Sequence, residues 1–291
     1  MPEAEGDAGN FPSSPGGQKK MAGNESFVEA NRELWNRRTA IHVRSDFYDV
    51  PGFLAGATSL REPEIATFVP LIRGKSVLHL QCHFGQDSLS LAREGAQVTG
   101  VDLSDTAIEE ACRLRDQLGL EANFVRSSIF ELEHVLSDSF DFVFASYGVF
   151  GWLPDLNRWA EVVHHFLKPG GAVYVFEFHP VFQQMDDRGE RKYDYFEATQ
   201  PDREVLTSTY TDGESHEPLE EFWWNHPISA SIDGLLRAGM QLREFREYPY
   251  SPYRLSERMI ETAPGRWAYP HHGNQVPYLF SFVAEKPPRE A

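Results

Sequence analysis

Cysteine is almost absent from this chain: Cys82 and Cys112 are the two among 291 residues. Two lone cysteines supply no disulfide framework, and a reducing compartment is expected. Long hydrophobic runs are missing too. No stretch approaches the roughly 18 apolar residues of a membrane span, and no basic segment leads into an apolar core at the N-terminus, as a secretory signal requires. The expected setting is the cytoplasm, with no membrane partner. Positive charge is scarce, with 27 Lys and Arg against 44 Asp and Glu and a formal charge of −17. No basic run is visible, which argues against nucleic acid as a partner, since duplex binding rests on neutralising phosphates.

Large apolar residues are also rare over residues 1–24, which are rich in Gly, Pro, Ser and Glu. Such a stretch cannot offset its ordering entropy by burial, and it reads as a disordered tail. Residues 25–291 are of a size for one domain. They open on an amphipathic helix carrying Phe27, Trp35 and Ile41, then the aromatic turn SDFYDV. Residues 25–75 read as an N-terminal helical cap. Its helix packs on the domain edge or covers a ligand, and Trp35, His42, Phe47 and Tyr48 are a costly set to leave on an edge. PEIATFVPLIRGKS reads as one helix leading into the first strand.

From Val77 the pattern alternates. SVLHLQ and QVTGVD are strands around a helix that Asp87 caps and Gly95 ends. A helix from Ser104 places Ala107, Ala111, Leu114 and Leu118 on one face before Gly119. NFVRSS is a third strand, FDFVFASYGVF a fourth that is apolar throughout and therefore buried on both faces. Asp155 caps a helix with Trp159, Val162, Val163 and Phe166 on its inner face, and GAVYVFEFH is a fifth strand. QLREFREY and PYLFSFVAEK complete the set. The fold class is therefore α/β: a Rossmann-like, doubly wound, seven-stranded, mostly parallel sheet whose last strand is antiparallel. Two insertions, residues 181–223 and 251–274, interrupt the alternation and form a lid; EVLTSTYTDG in the first reads as a hairpin.

A dinucleotide site requires G-x-G-x-x-G after the first strand. Here Cys82, His83 and Phe84 are bulky, and Asp87 stands where a pyrophosphate would sit. What remains is one close-approach glycine, Gly85, and Asp102 at the end of the second strand, a carboxylate able to accept bonds from two ribose hydroxyls. A nicotinamide oxidoreductase is disfavoured accordingly.

VLHLQCHFG, from Val77 to Gly85, resembles the V-L-D-L-G-C-G-x-G motif of class I S-adenosylmethionine-dependent methyltransferases, with His79, Gln81 and His83 in place of Asp, Gly and Gly. The wording LQCHFGQDSLSLA and the W-N-x-R-T-x-x-H-x-x-S-x-F-Y opening resemble a bacterial small-molecule branch, over roughly Asn31 to Pro287. The resemblance implies S-adenosylmethionine as cofactor. It puts Gln81, Cys82, His83 and Gly85 along the methionine and ribose, Asp102 on the ribose hydroxyls and Leu103 on the adenine. Ser128, followed by Ile129, stands at the family's adenine-contacting acidic position. Ser146 and Tyr147 match the chain passing beneath the transferable methyl, and Tyr48 of the cap joins the cofactor contacts.

Methyl transfer from a sulfonium is an in-line displacement that rests on alignment and exclusion of water. A general base helps a hydroxyl or ammonium acceptor. His179, at the end of the fifth strand, is the first candidate, followed by His226 and Tyr147. His79 reads as a satisfied core histidine, and His83 as structural or ligand-facing. His271 and His272 with His226 lack metal-ligand spacing, and no metal is expected. Phe150, Trp152, Phe178, Trp223, Trp224, Tyr250 and Trp267 form an aromatic set suited to a planar or cationic small-molecule acceptor. The reading is methyl transfer to a small molecule by a monomer or homodimer. Its rivals are non-methylating S-adenosylmethionine chemistry, by transfer of another group or cyclisation, and a cofactor-binding module without catalysis.

Overall fold

The computed structural model describes residues 24–196, 200–211 and 214–289, with side chains of the last segment described from residue 218 onward. The N-terminal tail expected over residues 1–24 lies outside these but for Asn24. Five parallel strands, β1 (Ser76–Leu80), β2 (Gln97–Asp102), β3 (Ala122–Arg126), β4 (Phe140–Ser146) and β5 (Leu167–Phe178), continue into β11 (Leu279–Glu285) and β8 (Gln241–Tyr248). The order is β3-β2-β1-β4-β5-β11-β8, and β11 runs antiparallel to both its neighbours. This is the seven-stranded, mostly parallel sheet that the alternation predicts. The order reverses between β1 and β4, so the strand ends there leave a crevice at the topological switch point.

Helices cover both faces because parallel strands are apolar on both. α4 (Gln86–Arg93) and α5 (Asp105–Leu118) follow β1 and β2, while α6 (Leu156–Phe166) packs with α8 (Ile228–Arg237). Trp159, Val162, Val163 and Phe166 of α6 are all fully buried, with Val143 and Val175 in the same core. Ser104 caps α5 by accepting from Ala107 N, and Asp155 caps α6 through Asn157 and Arg158 N. α8 has no counterpart in the sequence reading, which assigns no element between Trp224 and Met240.

Two local readings are corrected. Asp87 does not cap α4: Gly85 holds the cap position at φ +81°, and Asp87 sits inside the first turn. A Cβ on Gly85 would come within 2.8 Å of the Phe124 ring, so this position is glycine on both grounds. PEIATFVPLIRGKS is not one helix. α3 (Glu62–Thr67) stops ahead of Pro70, which removes a helical donor, and Val69–Leu71 tightens into a 3-10 turn.

The remaining elements wall the crevice. α1 (Glu25–His42) lies along β7 (Glu214–Trp223), which pairs with β6 (Asp202–Ser208) as the hairpin expected in the first insertion. Asn31 closes two bonds with the backbone of Phe222, donating to its carbonyl at 2.8 Å and accepting from its N–H at 3.0 Å. α2 (Val50–Leu54) follows the aromatic turn, and α7 (Pro180–Gln183) follows β5. The second insertion contributes a short hairpin, β9 (Ile260–Ala263) with β10 (Arg266–Ala268). Among the described residues, no helix is long and apolar enough to cross a membrane.

Candidate functional site

One cavity of about 730 Å3 opens at the switch point, walled by the loops after β1, β2, β3 and β4, the α1–α3 region and both insertions. Its floor is built from strand ends. After β1 the backbone turns through Gln81 and His83 at φ +54° and +49°, and after β4 through Tyr147 at φ +47°. Left-handed backbone costs a non-glycine residue roughly 1–2 kcal/mol, so local strain is held here by the surroundings. Gln81 Nε2 donates to Val149 O at 2.9 Å, tying the two loops together, and His83 N donates to Asp102 Oδ2 at 2.8 Å.

Asp102 accepts Ser104 N on its other oxygen at 2.9 Å. Burial drives its carboxyl up to about 6, against the pull of these backbone bonds. Each oxygen keeps a further lone-pair site. Leu103, Ser128 and Ile129 line the same end; Ser128 spends its hydroxyl on Phe130 N.

Beneath the β4 end lies a polar floor. Ser146 Oγ donates to Asp87 Oδ2 at 3.1 Å, and His79 bonds Ser88 Oγ through Nδ1 at 2.8 Å, with Nε2 3.5 Å from Ser146 Oγ. His79 is therefore a partnered, buried histidine, and burial lowers its pKa to about 4. Arg61 extends over the Tyr253 ring, 4.5 Å from its centroid, and lines the cavity beside Tyr147. Glu177, 1 % exposed at the end of β5, accepts the N–H groups of Gly148, Val149, Phe150 and Phe178 at 2.5–2.9 Å. It fixes the loop that carries Tyr147 and Trp152.

The N-terminal elements cover the cavity with aromatic rings. Trp35 meets Trp152 edge-on at 5.1 Å, and Trp152 meets Trp223 at 5.5 Å. A Cβ on Gly151 would overlap the Trp223 ring. His42 Nδ1 shares a hydrogen bond of 2.9 Å with His83 Nε2, and His42 Nε2 reaches Thr209 at 2.7 Å. Burial lowers both imidazoles, to about 2 for His42 and about 3 for His83, so both are neutral. From α1, Val28, Asn31 and Trp35 line this cavity. Tyr48 lines it and bonds Tyr210 of the first insertion.

The cavity thus brings together Tyr48, Gln81, Cys82, His83, Gly85, Asp102, Leu103, Ser128, Ile129, Ser146, Tyr147, Trp152, Phe178 and Trp223. Six expected residues lie outside its lining. His179 caps α7 through Nδ1 and Val181 N, and its Nε2 stands 3.0 Å from Glu247. Its ring nitrogens are therefore engaged away from the cavity. His226 is buried with Nε2 on Leu153 O at 2.7 Å. Phe150 packs on Trp159 in the core, and Trp224 is buried with its backbone N–H donating to Gly151 O. Tyr250 donates to Glu62 beneath Arg266, and Trp267 pairs with Ser251. Arg61, Asp87 and Glu177 are site residues that the sequence reading missed. The one sequence signal for Glu177 is a lone acid inside an apolar strand.

Five buried polar atoms on residues that line this cavity lack a hydrogen-bond partner among the described residues: Arg61 Nε, Gln81 Oε1, His83 Nδ1, Tyr147 OH and Gln183 Nε2. Such unpartnered groups on the lining, with the remaining lone pairs of Asp102, fit a ligand rich in hydroxyl and amino groups. Residues 77–171, which supply this floor, match the family model described as a methyltransferase domain. This segment is therefore similar to a methyltransferase domain. A ubiquinone biosynthesis O-methyltransferase of Cronobacter sakazakii is 32% identical over 101 residues, 35% of this chain and 41% of that protein. An S-adenosyl-L-methionine-dependent Diels-Alderase of Neonectria is 27% identical over 119 residues, 40% and 43% of the two chains. The chain thus spans about two fifths of the length of these curated relatives. The methyltransferase fold extends further: a structure of an S-adenosylmethionine-dependent methyltransferase from Mesorhizobium loti superposes with TM-score 0.54 at 20% identity, over 80% of this chain and 99% of that one. Among the described residues no group of three or more His, Cys, Asp or Glu is placed to hold a metal.

Proposed function

We propose that the protein transfers a methyl group from S-adenosylmethionine to a small planar acceptor. The observation that carries this reading is the shared cavity, in which the Asp102 end and the Tyr147 floor adjoin an aromatic wall. About 730 Å3 lies in the upper part of the usual range for ligand sites, large enough for a donor and a modest acceptor side by side. Gln81, His83, Gly85, Asp102, Leu103 and Ser128 would hold the donor, with Arg61 and Asp87 offering opposite charges to its amino-acid end. When bound, S-adenosylmethionine supplies an electrophilic methyl group.

The chain's own contribution is alignment and dryness. Glu177 fixes the Tyr147–Trp152 loop, and α1, that loop and the first insertion exclude water through Trp35, Trp152 and Trp223. Three acidic side chains on that wall are already partnered: Glu221 with Arg38 at 2.6 Å, Glu204 with Lys192, and Asp202 with Asn225. Arg38 also lies against Trp35 and Trp152. These resident pairings favour a planar neutral acceptor over a cationic one. Tyr147 is the surviving candidate for proton handling, since His179 and His226 are engaged elsewhere.

Incubation with S-adenosylmethionine and a panel of phenols and catechols, read by mass spectrometry, should yield S-adenosylhomocysteine and methyl ethers. The likeness to a Diels-Alderase supports a second reading, in which the cofactor is held and the aromatic cavity shapes a cyclisation. Tight cofactor binding without any S-adenosylhomocysteine across the panel favours that second reading. Failure to bind either S-adenosylmethionine or S-adenosylhomocysteine overturns both.

A further inference from the structure

The polar floor under the β4 end has a direction. Asp87 Oδ2 accepts the Ser146 hydroxyl at 3.1 Å, so the Ser146 oxygen is left only to accept, and the group set against it is His79 Nε2 at 3.5 Å. Burial keeps that imidazole neutral, with a single N–H. The hydrogen is therefore on Nε2, and Nδ1 accepts the Ser88 hydroxyl at 2.8 Å. Ser88, His79, Ser146 and Asp87 thus form one chain of donors that ends on a carboxylate. Its first two members are sealed from water, Ser88 at 0 % and His79 at 2 % exposure.

The chain pins one oxygen of Asp87 and leaves the other. Asp87 lines the cavity; its Oδ1 takes no hydrogen bond among the described residues and is not one of the sealed polar atoms, so a ligand can reach it. Arg61 lines the same cavity with its guanidinium over the Tyr253 ring, and no ion pair joins it to Asp87 among the described residues. An anion and a cation that share a cavity without pairing to each other match a ligand end carrying both signs of charge. An amino-acid end does so, and of its two groups the ammonium is the one that donates hydrogen bonds to a carboxylate.

We infer that Asp87 holds the ammonium of the donor's amino-acid end, and that His79, acting through Ser146, is the positioning residue that aims the carboxylate. The inference rests on the reading that this cavity binds S-adenosylmethionine, and it is independent of the reaction that follows. A carboxylate already fixed at one oxygen loses less freedom when the other is engaged, which is the benefit of preorganisation. His79 is accordingly more than a satisfied core histidine: its tautomer sets the direction of the chain.

The test compares, by calorimetry, S-adenosylhomocysteine with its deamino analogue, which keeps the adenosine and the carboxylate but has hydrogen in place of the ammonium. The wild type should prefer S-adenosylhomocysteine by at least about tenfold, the scale of a hydrogen bond between charged groups, and D87N should bind the two alike. S146A and H79L should each lower the preference at least about threefold, the scale of one neutral hydrogen bond, with affinity for the deamino analogue unchanged. H79Q, whose amide N–H can stand in for Nε2, should restore it. A merely structural role would weaken both ligands together and leave the preference at its wild-type value, and that result in S146A and H79L overturns the positioning role; if H79L does not fold, S146A decides the point. A wild type that binds both ligands equally, or a D87N that keeps the preference, overturns the assignment of Asp87 and leaves the cofactor reading standing. Binding of neither ligand to the wild type removes the inference together with the reading beneath it.

Discussion

At the scale of single residues, the cavity works through side chains in places where backbone alone would suffice. Gln81 and His83 occupy left-handed positions that suit glycine, and both use the side chain they thereby gain: one clamps the loop after β4, the other joins the aromatic cap. His83 has a stability signature. Its pKa, like that of His42, is depressed by burial from 6.5, so its contribution is present above about pH 6.5 and is lost as pH falls towards about 3. Urea midpoints measured between pH 7.5 and 4.5 should fall with acidification. The fall should be shallower in His83→Asn, since asparagine tolerates the left-handed backbone and does not titrate. An unchanged slope removes His83 from this role. For Asp102→Ala, calorimetry should find S-adenosylhomocysteine binding weaker by at least about tenfold, the loss expected of charge-assisted hydrogen bonds; retained affinity means that Asp102 does not hold the ribose.

At the scale of elements, what was legible in the sequence was whatever depends on neighbours along the chain. The strands announced themselves as apolar runs, and Asp102 and Ser104 stand where a strand meets a helix cap. The expected residues that lie outside the cavity lining have partners far away along the chain. His179 at a strand end reads as available, yet Glu247, on a distant strand, engages it. The role of Glu177 is not legible beyond a lone acid in an apolar strand, because the N–H groups it gathers lie 27 to 29 residues earlier, apart from that of Phe178. Glu177→Gln replaces an acceptor oxygen with a donor amide facing buried donors, and should lower unfolding stability by about 2–3 kcal/mol in chemical denaturation. A loss below about 0.5 kcal/mol would mean that the loop does not depend on the clamp. Gly151→Ala probes the same loop from its aromatic side. The added methyl must displace Trp223, so a Trp223-dependent near-ultraviolet dichroism band should change while the far-ultraviolet spectrum stays the same.

At the scale of the whole molecule, the cavity is the common boundary of parts far apart in sequence: α1, the β1 and β4 loops and both insertions. A ligand there bridges all of them and binds only when they are assembled. S-adenosylhomocysteine at one hundred times its dissociation constant should therefore raise unfolding stability by about 2.7 kcal/mol, measured as a shift in the denaturation midpoint. No shift at saturating ligand would place the binding elsewhere or nowhere.

The contact between Asn31 and Phe222 spans 191 residues. At synthesis rates of roughly 5–20 residues per second, α1 leaves the ribosome about 10–40 seconds before the strand it docks against exists. During that interval Trp35 and the apolar face of the helix have no native cover, and the sheet's first strands can pair without them. The cap thus cannot close until residue 222 has been made, long after the first strands of the sheet, and until then its exposed rings are a surface that a chaperone would meet.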